Sequence, residues 1–134
     1  MKWILLLTTL VFCTEAHAQS RKKVLDSLYA QINHERQIRG IAPMKVSKSL
    51  QRSAYRYVAL TGAKKHAMGW ASFRRLITLN KRLDAAECIA WGGEESVKAW
   101  MKSPRHKALV LAKDHKKMGI GYIGKTAVLR MTDR

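Results

Sequence analysis

Ala86-Glu87-Cys88-Ile89-Ala90-Trp91-Gly92, then Ala99-Trp100-Met101-Lys102-Ser103-Pro104-Arg105-His106, then Met118-Gly119-Ile120-Gly121-Tyr122, set one carboxylate and one imidazole in a frame of Trp, Gly and Pro. Ser103-Pro104 reads as a helix start. Ser is a favoured N-cap, and Pro is tolerated at the first helical position, where its missing N–H has no intrahelical partner to lose. The helix from Pro104 carries Leu109 and Leu111 inward and puts His106 in its first turn. There the positive end of the helix dipole favours a neutral imidazole, suited to metal ligation or hydrogen bonding. Gly119 to Ile123 reads as a strand, Gly124-Lys125 as a turn and Ala127 to Met131 as the return strand.

Upstream, Val97, Trp100 and Met101 form a stripe on a helix beginning at Glu94 or Glu95, acids that suit a helix N-terminus. Glu87, beside Ile89, Ala90 and Trp91, is expected either to cap a helix or hold a loop through backbone amides, or to serve a site. Trp91 and Trp100 are expected in the core or a cleft wall, with stacking on carbohydrate or lipid as the alternative. Nearer the N-terminus, Leu25, Leu28, Tyr29 and Ile32 share a helical stripe, while Arg21, Lys22, Lys23, Gln31 and Arg36 fall largely elsewhere. Gly40 supplies a stop, Pro43 stiffens the connection, and Met44 and Val46 lead to a second start at Ser47. That helix carries Leu50, Ala54, Tyr57, Val58 and Leu60 and ends near Gly62. A third segment includes Phe73, Leu76, Ile77 and Leu79.

The first residues have the pattern of an export signal. A charged Met1-Lys2-Trp3 precedes an apolar run from Ile4 to Cys13, and Ala16-His17-Ala18 fits an A-x-A cleavage site. The run is too short to cross a bilayer comfortably. The expected division is therefore a signal peptide over 1–18, cleaved near Ala18, and a single domain over 19–134 with no membrane-spanning segment after cleavage. A mature chain of about 116 residues suits one modest core. Cys13 leaves with the signal, so Cys88 has no internal disulfide partner. Cys88 is then either a small buried hydrophobe or a thiol nucleophile paired with His66 or His106. His34 and His115 are expected at the surface.

The formal net charge is +17. A field that strong attracts nucleic acid, acidic cell-wall polymers or anionic lipid head groups. The alternative is that Lys and Arg solvate exposed faces. No Gly-rich phosphate loop, zinc-knuckle spacing or nucleic-acid motif accompanies the charge. There is likewise no H-E-x-x-H helix, G-x-S-x-G elbow or directly readable carboxylate pair.

Asn33-x-x-Arg36, Gly40-Ile41-x-Pro43-Met44 and Ser49-Leu50, taken with Trp100-Met101-x-Ser103-Pro104-x-His106 and Met118-Gly119-Ile120-Gly121, resemble the CAP superfamily. That superfamily comprises the cysteine-rich secretory, antigen 5 and pathogenesis-related 1 proteins. The later motifs are similar to its bacterial SCP-like branch, which reads W-M-x-S-P-G-H-R before an I-G-V-G strand. The resemblance runs from about Val24 to Met131. It implies an α+β fold, an α-β-α sandwich with a small antiparallel sheet between helical layers, and a shallow cleft lined by two histidines and one or two acids.

Position by position, His66 matches the first histidine, Glu87 the acid of the family's G-E-N segment and His106 the second histidine. The second acid of many eukaryotic members falls near Ser103, where this chain has none. The G-E-N segment reads Ala86-Glu87-Cys88, and Arg105 stands where the family has Gly. The expected function is a secreted or periplasmic protein, a monomer, whose His66/Glu87/His106 cleft binds a small ligand, lipid or anionic envelope component without catalysis. A divalent metal such as Zn²⁺ on His66 and His106, with Glu87 orienting a bound water, gives the alternative of a metal-assisted hydrolase. A cationic antimicrobial or toxin-like factor acting through charge is the third reading, with nucleic acid reachable through charge only.

Overall fold

A computed structural model describes residues 2–62 and 85–134, with side chains from residue 17 onward except that of Thr61. The third apolar segment, with Phe73, Leu76, Ile77 and Leu79, and the histidine His66 lie outside the described residues. The elements are α1 (Lys2–Gln37), β1 (Lys45–Val46), α2 (Lys48–Thr61), β2 (Ala85–Ala90), a 3₁₀ turn (Gly93–Glu95), α3 (Ser96–Lys102), α4 (Pro104–Val110), β3 (Lys117–Ile123) and β4 (Thr126–Thr132). Helix α1 runs unbroken through the expected cleavage site at Ala18. No helix among the described residues is long and apolar enough to cross a membrane.

The local rules hold at most ends. Ser47 caps α2 by accepting from the Leu50 amide at 3.4 Å, and Gly62 ends it in the left-handed region at φ 62°, where a side chain would be strained. The sheet order is β1-β3-β4-β2, with β2, β4 and β3 antiparallel. The two-residue β1 adds a parallel edge through Lys45 and Val46 opposite Lys117 and Met118, so the sheet is antiparallel except at this one short strand.

Alternation along the strands sorts side chains onto two covered faces. One face carries Cys88, Met118, Ile120, Leu129 and Met131 against Leu28, Tyr29 and Ile32 of α1, Trp100 of α3 and Val110 of α4. The other carries Ile89 and Val128 against Ala54, Tyr57 and Val58 of α2. Gly119 and Gly121 lie on this second face because α2 runs directly over them. A Cβ on Gly121 would meet Ala54 O at 2.5 Å, and one on Gly119 would meet Leu50 Cβ at 2.6 Å. The expected α-β-α sandwich is the fold observed.

Several expectations need correction. Arg36 does not lie on the solvent side of α1; it is fully buried and donates to the carbonyls of Ala42 (2.9 Å), Val110 (2.7 Å), Ala112 (2.9 Å) and His115 (3.0 Å). One turn earlier, the Asn33 amide donates to Met44 O at 3.0 Å and accepts from Met44 N at 2.9 Å. Together the two motif residues fasten the chain after α1. His115 is buried rather than exposed, its Nδ1 3.0 Å from Leu109 O. On α4 it is Val110 that is buried, with Leu109 and Leu111 only half-buried. Trp91 is 59% exposed while Trp100 is buried, and Leu60 stands in solvent.

Candidate functional site

Glu87 lies in β2, opposite Arg130 of β4, which in turn faces Gly119 of β3. Directly paired residues share a face, so Glu87 and Arg130 both project towards α2. The Arg130 Nε donates to Glu87 Oε2 at 2.9 Å, with the two side chains 0% and 4% exposed. Arg130 Nη1 also donates to the Ser53 hydroxyl, and its guanidinium lies 5.3 Å from the centre of the Tyr57 ring. Burial lowers the Arg130 pKa, and the Glu87 charge pulls it back up. A buried charge stands only when it is paired, and here each member supplies the other's counter-charge.

Sequence reasoning passed over Arg130. The signal was there: a cation between Leu129 and Met131 in a strand whose both faces are covered has to find a partner inside.

His106 sits where Ser103-Pro104 put it, in the first turn of α4. The Ser103 hydroxyl is not used as a backbone cap. It shares a 2.9 Å hydrogen bond with His106 Nδ1, which fixes the half-buried ring, while Ser103 O accepts from the Lys107 amide. Helix α4 joins the α1 layer through Val110. Glu87 therefore projects to the α2 side of β2, and His106 belongs to a helix of the opposite layer.

Cys88 follows Glu87 and so points to the other face, into the α1 core, where it is fully buried. Burial, with Glu87 adding to it, pushes its thiol up to about 12. It stays protonated at neutral pH, and the small buried hydrophobe is the reading that fits.

His106 is held as a metal-ligating histidine usually is, with one ring nitrogen fixed by a neighbour. Glu87 accepts from Arg130 through Oε2. Among the described residues no three His, Cys, Asp or Glu side chains come together as a metal would need. His66, the expected partner of His106, lies outside those residues.

Residues 29–129 match the sequence model of the cysteine-rich secretory protein family, CAP. Solved structures share the fold at low identity. A cysteine-rich secretory protein of Staphylococcus aureus aligns with a TM-score of 0.73 at 18% identity, over 84% of this chain and 39% of its own. An outer surface protein of Borrelia burgdorferi gives 0.72 at 21%, over 84% and 94%. An extracellular SCP-domain protein of Bacillus anthracis gives 0.68 at 16%, over 82% and 40%. The chain thus spans less than half of the staphylococcal and Bacillus proteins and nearly all of the Borrelia one. No curated protein matches it by sequence.

Proposed function

The chain belongs to the cysteine-rich secretory protein (CAP) family, and from that premise we propose an exported binding protein that engages small polar ligands or anionic envelope material without catalysing a reaction. Export rests on the signal-peptide pattern of residues 1–18, cleaved near Ala18. It is supported by the outer-surface and extracellular character of the Borrelia and Bacillus proteins that share the fold. A partner of negative charge follows from the net charge of +17.

The observation that carries the non-catalytic reading is the Glu87–Arg130 pair. In a metal-assisted hydrolase the acid has to orient an attacking water. Here the carboxylate is 4% exposed and accepts from a buried guanidinium 2.9 Å away, which supports a structural use of the acid. His106, fixed by Ser103, is then a wall of the cleft that His66 is proposed to complete.

The test joins metal content to turnover. On the binding reading, protein purified at neutral pH holds no stoichiometric metal, and chelators leave its binding to vesicles of phosphatidylglycerol and phosphatidylcholine unchanged. Stoichiometric zinc that disappears in the His66→Ala/His106→Ala variant, together with ester or amide turnover lost on chelation, would overturn it in favour of the hydrolase. Vesicle binding that vanishes with added salt and ignores both histidines would leave charge alone as the working principle, also against the cleft.

A further inference from the structure

The opposite edge of the sheet from β2 holds a second feature, independent of Glu87 and the histidines. Among the described residues, strand β1 covers β3 only at Lys117 and Met118, and none pairs with the outer edge of β3 from Gly119 to Ile123, between α1 on one face and α2 on the other. A recess of about 270 Å³ lies along it, and Arg21, Lys48, Arg52, Gln51, Tyr55 and Tyr122 supply its polar lining. Arg21, Tyr55 and Tyr122 also line an adjoining chamber of about 770 Å³ with apolar walls at Val24 and Ile123 and one acid, Glu94.

Three cations around one recess need an explanation. Some exposed cations pair locally, Lys22 with Asp26, Arg39 with Glu35 and Lys98 with Glu95, while others, such as Lys107 and Lys113, pair with no acid among the described residues. What sets these three apart is that they converge on one recess. Among the described residues, Arg21, Lys48 and Arg52 have no carboxylate partner. Helix α2 has no acidic residue at all, and its outer face presents Lys48, Arg52 and Arg56 at successive four-residue steps, about 6 Å apart along the axis.

Arg21 is also held in place. Its guanidinium lies 5.0 Å from the centre of the Tyr55 ring, which restrains the planar fork that reads phosphate or carboxylate. The strand edge adds a donor. The Ile120 amide points outward to Tyr29 Oη at 2.8 Å, and period-two alternation turns the Tyr122 amide the same way.

We propose that this edge recess binds a phosphoryl group, with Arg21, Lys48 and Arg52 as its cationic receptors, and that the adjoining chamber takes the body to which the phosphoryl is attached. Glu94 on the chamber wall, beside the Tyr122 phenol, repels a second anion and favours a body carrying a cationic ammonium group. A dianion needs convergent donors of this kind, and the phenol faces suit an ammonium group. The recess residues all follow residue 20, so the site is the same with or without the signal peptide; the chamber loses only His17 and Ala18 from its wall.

The probes are inorganic phosphate and phosphocholine, titrated at constant ionic strength while amide shifts are followed by ¹H–¹⁵N NMR. Both are expected to give saturable shifts centred on Arg21, Arg52 and Tyr122, with phosphocholine the tighter of the two. Arg52→Gln and Lys48→Gln change exposed side chains and leave the fold intact; each is expected to weaken binding roughly five- to tenfold. The Lys107→Gln/Lys113→Gln variant removes two charges from the α4 side, one more than either of these, and is expected to change nothing. Three results would each overturn the proposal: no saturable shift at millimolar probe, equal weakening by the Lys107/Lys113 variant, or phosphocholine binding no tighter than phosphate.

Discussion

Replacing Arg36 by Met should be among the most damaging single changes in the molecule, although Arg36 touches no candidate site. The side chain is 0% exposed and gathers four carbonyls, from Ala42 just beyond α1 and from Val110, Ala112 and His115 between α4 and β3. The bonds to Val110 and His115 are buried, and the other two are partly buried. Met keeps much of the apolar stem but gives the carbonyls nothing. Each buried acceptor left without a partner costs about 1–3 kcal/mol, and water can repair the two partly buried ones. Two orphaned carbonyls give roughly 2–6 kcal/mol, centred near 4. That is a large share of the roughly 5–15 kcal/mol that holds a domain of this size together.

Urea unfolding measures it directly. With a slope of about 1.5 kcal/mol per molar for a small domain, the midpoint should fall by roughly 2–3 M at unchanged slope. Arg36→Lys separates charge from geometry. One ammonium cannot span two strands of loop, so Lys should recover less than half of the loss. A midpoint shift under about 0.5 M for Met, or a Lys variant equal to the native chain, would refute the clamp. The residue would then be buried without holding anything.

Two further outcomes test the core. Gly121→Ala should cost about 1–3 kcal/mol or more, because the added methyl meets α2 backbone at Ala54 and not a side chain that can swing aside; a thermal midpoint unchanged from the native protein would mean that α2 does not lie against β3 as described. Alkaline titration tests the buried Cys88 thiol, raised from 9.0 to about 12. The thiol's contribution is whole below pH 9 and is lost as pH rises towards 12, because over that interval the unfolded chain has released a proton the folded one keeps. The slope is about 1.4 kcal/mol per pH unit. Tyr29, raised from 10.0 to about 12 by the same desolvation, joins it from pH 10 upward. Between pH 9 and 10, Cys88→Ala should flatten the decline in urea midpoint, and an identical decline in both proteins would contradict a buried, neutral thiol.

What the sequence made readable were residues whose meaning is local. Ser47, Gly62 and Ser103-Pro104 announce helix ends through their own backbone preferences, and each stands at the end it announced. The strand pair over Gly119 to Met131 was readable from period and turn. Strand β2 was not, because Ala85–Ala90 is covered on both faces and its small apolar residues show no alternation apart from Glu87. Arg36 and His115 were misplaced for a related reason. Polar side chains look solvent-bound when their partners are main-chain carbonyls: those of Val110 and His115 lie 74 and 79 residues from Arg36, and the His115 ring meets Leu109 O across the turn after α4. The candidate site suffers most from this. Glu87 and Arg130 are 43 residues apart, and only the strand register joins them.

The residues that carry the family resemblance share a physical property that bears on how far chemistry can be inherited with it. Asn33 and Arg36 spend every hydrogen bond given to them here on main-chain atoms. Gly119 and Gly121 are there for what they lack, since α2 occupies the space of their side chains. Trp100 fills the core, and Ser103 orients His106. All of these specify where the backbone goes, and none needs a ligand to explain it. A fold kept by such residues leaves its polar groups to be held by one another, as Glu87 illustrates: its carboxylate accepts from Arg130, whose guanidinium also donates to Ser53 on the α2 face. In a CAP domain built this way the site has to be argued from what each side chain touches. By that standard the cations that converge on the β3 edge, with no carboxylate partner among the described residues, have a claim to a ligand of their own.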